Sequence, residues 1–192
     1  MKYFHSIVVF LILLVVISEA HSQTQSFCRI SLTGGSNVVC KGHPLVLIAN
    51  EEFSFGEPVF RIWTVNGIAQ EGENKPYIRF NTNETGIFQV SFQMKDKEGR
   101  QSACEIEVNV LPLPEFQIEK SYPLFRNIFR KQSRPRLTIN FQETYIVQWF
   151  FNDFELPGET QPVLNVKNPG KYRVRVTCLQ GCSAFAEIIV AE

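Results

Sequence analysis

Few side chains in this sequence are equipped for acid-base, nucleophilic or metal chemistry. Histidine is the usual proton carrier near neutral pH, and beyond the first 22 residues the chain holds only His43, in a turn-like Lys-Gly-His-Pro context. Aspartate is equally scarce there, limited to Asp96 and Asp153. Calcium sites need several clustered carboxylates, and zinc sites need ligands in fours; neither set occurs. Glu51-Glu52 is the only adjacent acidic pair, and a solvated loop explains it better than a glycosidase pair facing across a cleft. No phosphate loop, nucleophile elbow or zinc-helix motif is present. The expectation is a protein without catalysis, metal or cofactor.

The remaining reactive residues are five cysteines, Cys28, Cys40, Cys104, Cys178 and Cys182. Their number fits an oxidising compartment, and being odd it leaves at least one unpaired within the chain. The first residues support export. Lys2 precedes an apolar run from Ile7 to Ile17, followed by Ser18-Glu-Ala-His-Ser22, the pattern of a signal peptide cut before Gln23. The run is short for a membrane span, so a mature chain without a transmembrane anchor is expected, placed outside the cell, on its surface or in a periplasm. Nineteen basic and nineteen acidic residues balance, and the leader removes one of each, so nothing draws the chain to nucleic acid.

The elements that position these residues repeat. Trp63-Thr-Val-Asn-Gly matches Trp149-Phe-Phe-Asn-Asp; Gly86-Ile-Phe-Gln-Val-Ser-Phe matches Gly170-Lys-Tyr-Arg-Val-Arg-Val; and Gly99 to Val108 matches Gly181 to Val190. Each copy alternates apolar and polar residues at period two, the sign of a half-buried strand. Val110-Leu-Pro-Leu-Pro114 separates the copies, and its prolines favour a stiff extended connection. The expected organisation is a leader (1–22), one antiparallel β-sandwich (23–113) and a second (114–192).

These stretches, together with Val39-Cys40-Lys-Gly-His-Pro-Leu-Val-Leu, Ala103-Cys104, Leu156-Pro-Gly and Gly181-Cys-Ser-Ala, resemble the PKD-like and bacterial immunoglobulin-like modules of exported proteins, particularly of Bacteroidetes. The resemblance implies an all-β fold of two tandem immunoglobulin-like sandwiches. Antibody domains carry a cysteine two residues after the corner tyrosine. Matching Phe88 with Tyr172 puts Val90 and Val174 there, so that bridge is not expected. Trp63 and Trp149 read as core plugs, with a ligand-stacking platform as the alternative. Phe88 and Tyr172 read as core or corner residues. In a sandwich of this order Cys40 and Cys104 fall at one end, which predicts a Cys40–Cys104 bridge; Cys178 and Cys182, flanking Leu-Gln-Gly, suit a local hairpin bridge. Cys28 is left free, buried or paired with another molecule.

Two stretches suit a binding surface. Between Tyr122 and Arg136 the bases Arg126, Arg130, Lys131, Arg134 and Arg136 interleave with Leu124, Phe125, Ile128 and Phe129. That pattern suits a short amphipathic insert facing an anionic glycan, lipid or protein, or a loop pinned by its apolar residues. The other stretch is Phe150, Phe151 and Phe154 with Leu156, where alternation puts Phe151 on the face of Trp149 and Phe150 on the opposite one. The function expected is a secreted or envelope interaction protein with an unknown protein or glycan partner. A carbohydrate-binding accessory and a structural spacer are the alternatives.

Overall fold

The computed structural model describes residues 28–51, 58–71, 74–122, 134–140 and 145–191. The leader, Arg126, Phe129, Arg130 and Lys131 lie outside them. The described residues form strands and turns with no helix.

Eight strands come first: β1 (Cys28–Leu32), β2 (Val38–Cys40), β3 (Leu45–Glu51), β4 (Pro58–Val65), β5 (Ile68–Ala69), β6 (Tyr77–Phe80), β7 (Gly86–Asp96) and β8 (Gln101–Leu111). They make two sheets, β1-β3-β6 and β2-β8-β7-β4-β5. The three-residue β2 runs parallel to β8, whereas the other pairs are antiparallel. Seven strands follow: β9 (Gln117–Ser121), β10 (Arg136–Asn140), β11 (Tyr145–Phe151), β12 (Phe154–Glu155), β13 (Val163–Asn165), β14 (Gly170–Cys178) and β15 (Ser183–Val190). They form the sheets β13-β10-β9 and β12-β11-β14-β15. This is the same arrangement without a counterpart of β2, giving tandem immunoglobulin-like sandwiches.

Period-two alternation explains the cores. On β7, Val90, Phe92 and Met94 point inward, and on β14, Tyr172, Val174 and Val176 do. Trp63 and Trp149 are fully buried at the centres of two separate apolar clusters. Each indole N–H finds a carbonyl twelve residues on, Lys75 at 2.9 Å and Gln161 at 2.8 Å, which meets the need of a buried indole for a partner. Both tryptophan strands turn back through two-residue loops with positive φ at both positions, Asn66-Gly67 and Asn152-Asp153. Such turns match the twist of the paired strands.

The register revises one sequence match. Trp63 stands opposite Phe92 and Trp149 opposite Val174, so Tyr172 corresponds to Val90 and Phe88 to Gly170. The antibody cysteine position is therefore filled by Phe92 and Val174, both fully buried. The connection into β14 is shorter than that into β7, and matching both strands from their first glycine hid this. Phe88 is half-buried, edge-on to Phe80 at 5.4 Å. Gly170 has no room for a side chain, since a Cβ there would lie 2.7 Å from the Phe151 ring. The Tyr172 hydroxyl donates to the Asn168 carbonyl at 2.8 Å, fastening the corner before β14.

Candidate functional site

The cysteines pair as Cys28–Cys104 and Cys40–Cys182, with Cα separations of 5.7 and 5.5 Å, and Cys178 is free. This overturns the expected Cys40–Cys104 and Cys178–Cys182 bridges and the assignment of Cys28 as the unpaired residue. The cause is β2. Its parallel register sets Cys40 beside Leu111, seven residues along β8 from Cys104. At ~3.3 Å per residue that is roughly 23 Å, far beyond the reach of a disulfide. Cys104 instead faces Cys28 across the two sheets. Cys40, at the foot of the first sandwich, meets Cys182 at the hairpin tip of the second.

The hairpin holding Cys182 has a twin. In the first sandwich Asp96-Lys-Glu-Gly-Arg100 closes β7 onto β8, with Asp96 N–H to the Arg100 carbonyl at 3.1 Å and Gly99 N–H to the Asp96 carbonyl at 3.2 Å. In the second, Cys178-Leu-Gln-Gly-Cys182 repeats both bonds at 2.8 and 2.9 Å. Gly99 and Gly181 both take positive φ, as this three-residue loop requires. The Asp96 carboxylate is buried, and Arg100 donates to it from Nε at 2.6 Å and from its backbone at 2.8 Å. Burial pushes the Asp96 pKa upward, but the hydrogen bonds and charge of Arg100 outweigh it and hold the carboxyl below its usual value. A lowered folded pKa gives stability that is complete above the unfolded value of ~3.9 and is lost as pH falls through the folded one. The melting temperature of the first sandwich is thus expected to drop on acidification below about pH 4, and Asp96→Asn to flatten that part of the profile, as followed by calorimetry.

The two sandwiches differ most along the seam between their first and last strands. In the first, the Cys28–Cys104 bridge crosses it and β2 pairs with the end of β8. In the second, register places Phe116 where Cys28 would stand and Ala186 where Cys104 would, and both pack on the core. Beside them lies an open groove of about 520 Å³ lined by Pro114, Glu115, Phe116, Gln117, Asn140 and Phe185, among others. Among the described residues β15 pairs only with β14. The backbone hydrogen bond from Cys178 N–H to the Cys182 carbonyl fixes the alternation, so the backbone N–H and C=O of Phe185, Glu187 and Ile189 point away from β14.

The outer face of this sheet is aromatic and basic. Arg173 lies 3.9 Å over the Phe185 ring and Arg175 5.6 Å over Phe150. Arg173 Nε is 3.5 Å from Glu187, too long for a strong bond. Phe150 is half-buried beneath its arginine, Phe151 packs inward on Tyr172 at 5.0 Å, and Ile189 is 74% exposed. Arg134 is exposed, just before β10. The alternation of β15 was legible in the sequence, but its open edge was missed, because which strand ends a sheet depends on pairing between distant segments.

The other candidates for chemistry lie apart and are engaged in structural roles. His43 is exposed, and its carbonyl accepts from the Thr82 hydroxyl at 2.7 Å. Glu51 holds Arg61 through both oxygens, and Asp153 pairs with Lys171 at 2.7 Å. Among the described residues no three His, Cys, Asp or Glu gather as a metal would need. No helix among them is long and apolar enough to cross a membrane.

No protein-family model matches the chain, and no curated protein matches it in sequence. Among solved structures it is similar to the insect immune protein hemolin, at 14% identity over 80% of this chain and 44% of that one, with a TM-score of 0.41. It is similar to an I-band fragment of titin at 13% identity, covering 78% of this chain and 60% of the other, with a TM-score of 0.38. A Bacteroides ovatus protein of a mixed-linkage glucan utilization locus, solved with a mixed-linkage heptasaccharide, matches at 13% identity over 81% of this chain and 42% of its own, with a TM-score of 0.33. The chain spans less than two thirds of the length of each. Likeness at this level concerns architecture alone, and the immunoglobulin-like assignment rests on the strand order described above.

Proposed function

We propose that this chain is an exported, non-catalytic interaction protein whose second sandwich takes up an extended strand of a partner along the open edge of β15. The observation that carries this reading is the eight-residue β15, unpaired on one side among the described residues. Long edge strands are normally blunted by proline, a bulge or a lysine. β15 has none of these, and Glu187 is its only charge. A strand laid there would satisfy the outward backbone of Phe185, Glu187 and Ile189 and rest against the groove at Phe116. The first sandwich, whose seam is crossed by the Cys28–Cys104 bridge, acts as the mount, and the boundary falls between residues 113 and 114. A leader over residues 1–22 and a periplasmic or cell-surface site fit the disulfides.

Proline at 187 removes an N–H that faces the open edge and no bond to β14, so Glu187→Pro is tolerated by the fold as edge prolines are. With the mature chain immobilised and envelope proteins of the producing cell passed over it, wild type and Glu187→Ala are expected to retain the same partner. Glu187→Pro is expected to lose it at least tenfold, as one bidentate strand contact is worth about 1–2 kcal/mol. Equal retention by wild type and both variants would contradict edge pairing. A glycan ligand is the second reading, favoured by Phe185, exposed on the outer face of the sheet under Arg173. It predicts binding on a glycan array that Glu187→Pro leaves intact.

A further inference from the structure

The bridge between the sandwiches stands next to the one free thiol of the described residues. Cys182 is fully buried in its bond to Cys40, and Cys178, half-buried, lies directly across the hairpin from it. The Cys178 N–H donates to the Cys182 carbonyl at 2.8 Å. Alternation sends both side chains to the same face, the one carrying Tyr172, Val174 and Val176 on β14 and Val190 on β15. Hydrogen-bonded antiparallel partners have Cα atoms about 5.5 Å apart, inside the range a disulfide spans. The first sandwich shows independently that these two positions face each other. At the same two positions of the same turn, the side chains of Asp96 and Arg100 meet at 2.6 Å.

We propose that Cys178 is a resolving thiol for the bridge between the sandwiches. Deprotonated, its Sγ attacks Sγ of Cys182; a Cys178–Cys182 bond forms as the Cys40–Cys182 bond breaks, and Cys40 leaves as a thiolate that takes up the proton Cys178 gave up. One disulfide and one thiol stand on each side of this exchange, so it consumes no oxidant or reductant. It converts a chain whose two sandwiches are tied at the Cys40 turn into one joined through residues 112–116 alone. The local geometry of the hairpin thus admits two bridges at Cys182, one holding the second sandwich to the first and one holding it only to itself. Cys28–Cys104, across the first sandwich, has no free cysteine beside it and takes no part.

The test uses the full mature chain, purified without reductant and held at about pH 8.5, near the ordinary thiol pKa. Free thiols are then alkylated and disulfide-linked peptides mapped by mass spectrometry. The expected result is a loss of the Cys40–Cys182 peptide matched by the appearance of Cys178–Cys182, with the alkyl group moving from Cys178 to Cys40 and Cys28–Cys104 unchanged. The rate should not depend on protein concentration. In Cys178→Ser the Cys40–Cys182 peptide should persist unchanged, and in Cys40→Ser oxidation should close Cys178–Cys182. Alkylation confined to Cys178 at all times in the wild type would overturn the proposal. So would exchange that rises with protein concentration, or two alkylated hairpin cysteines in oxidised Cys40→Ser.

Discussion

Trp149→Ala is expected to remove about 3–5 kcal/mol from the second sandwich, the range for deleting a large buried aromatic. Trp149 is fully buried among Leu137, Val147, Val174 and Val190, and its truncation also strands the carbonyl of Gln161, which the indole N–H satisfies. Small domains hold only about 5–15 kcal/mol in total, so the variant sandwich falls to the margin of stability at room temperature. Because the two apolar clusters share no residue, calorimetry should show a lowered second transition beside a first that stays in place. Equal displacement of both transitions would mean that the sandwiches unfold as one body. Trp149→Phe, which keeps most of the packing and loses the hydrogen bond, should cost visibly less.

The double replacement Cys28→Ala with Cys104→Ala is expected to cost the first sandwich about 4 kcal/mol. Closing a loop of 76 residues restricts the unfolded chain by about that amount in the chain-entropy account. The bridge ties the edge strand β1 to β8 in the opposite sheet, where antibody domains use the strands β3 and β7 to carry theirs. Urea titration of the double variant against wild type reads the loss as a lower midpoint. Its slope stays unchanged if the folded sandwich keeps the same surface. A midpoint within error of wild type would show that the apolar core between the sheets, Ile30, Leu47 and Ile78 against Trp63 and Phe92, holds them without help.

What the sequence disclosed and what it withheld follow the range of the interactions concerned. The tryptophan strands, the Asn-Gly and Asn-Asp turns and the alternation of β7 and β14 are written in neighbouring residues, so the all-β tandem was legible. The cysteine pairing was not. It depends on β2, three residues long and parallel to a strand some seventy positions away, which carries Cys40 to the far end of β8. Nothing in Val38-Val39-Cys40 announces that crossing, and the local spacing of Cys178 and Cys182 pointed to the bond that the hairpin would make alone. The displaced match of Phe88 with Tyr172 has a similar origin, because a shorter connection before β14 moves the register by two, which preserves the inward parity and so leaves the periodicity intact. The open seam beside β15 was hidden because Phe116 and Ala186 stand where the first copy carries the bridged Cys28 and Cys104, a correspondence that only the strand register reveals.

The Cys40–Cys182 bond also sets how the chain responds to being pulled. Tension applied at Cys28 and Val190 travels from residue 28 to 40, crosses the sulfurs and leaves from 182 to 190, bypassing everything between. Only about twenty residues lie on that path, roughly 70 Å when taut at ~3.3–3.6 Å each, whereas without that bond the line of force crosses Cys28–Cys104 and runs on from residue 104 to 190, roughly 300 Å as a thread. Both tryptophan cores lie off the line of force, so a stretched molecule of this kind behaves as a short inextensible strap until that single bond yields.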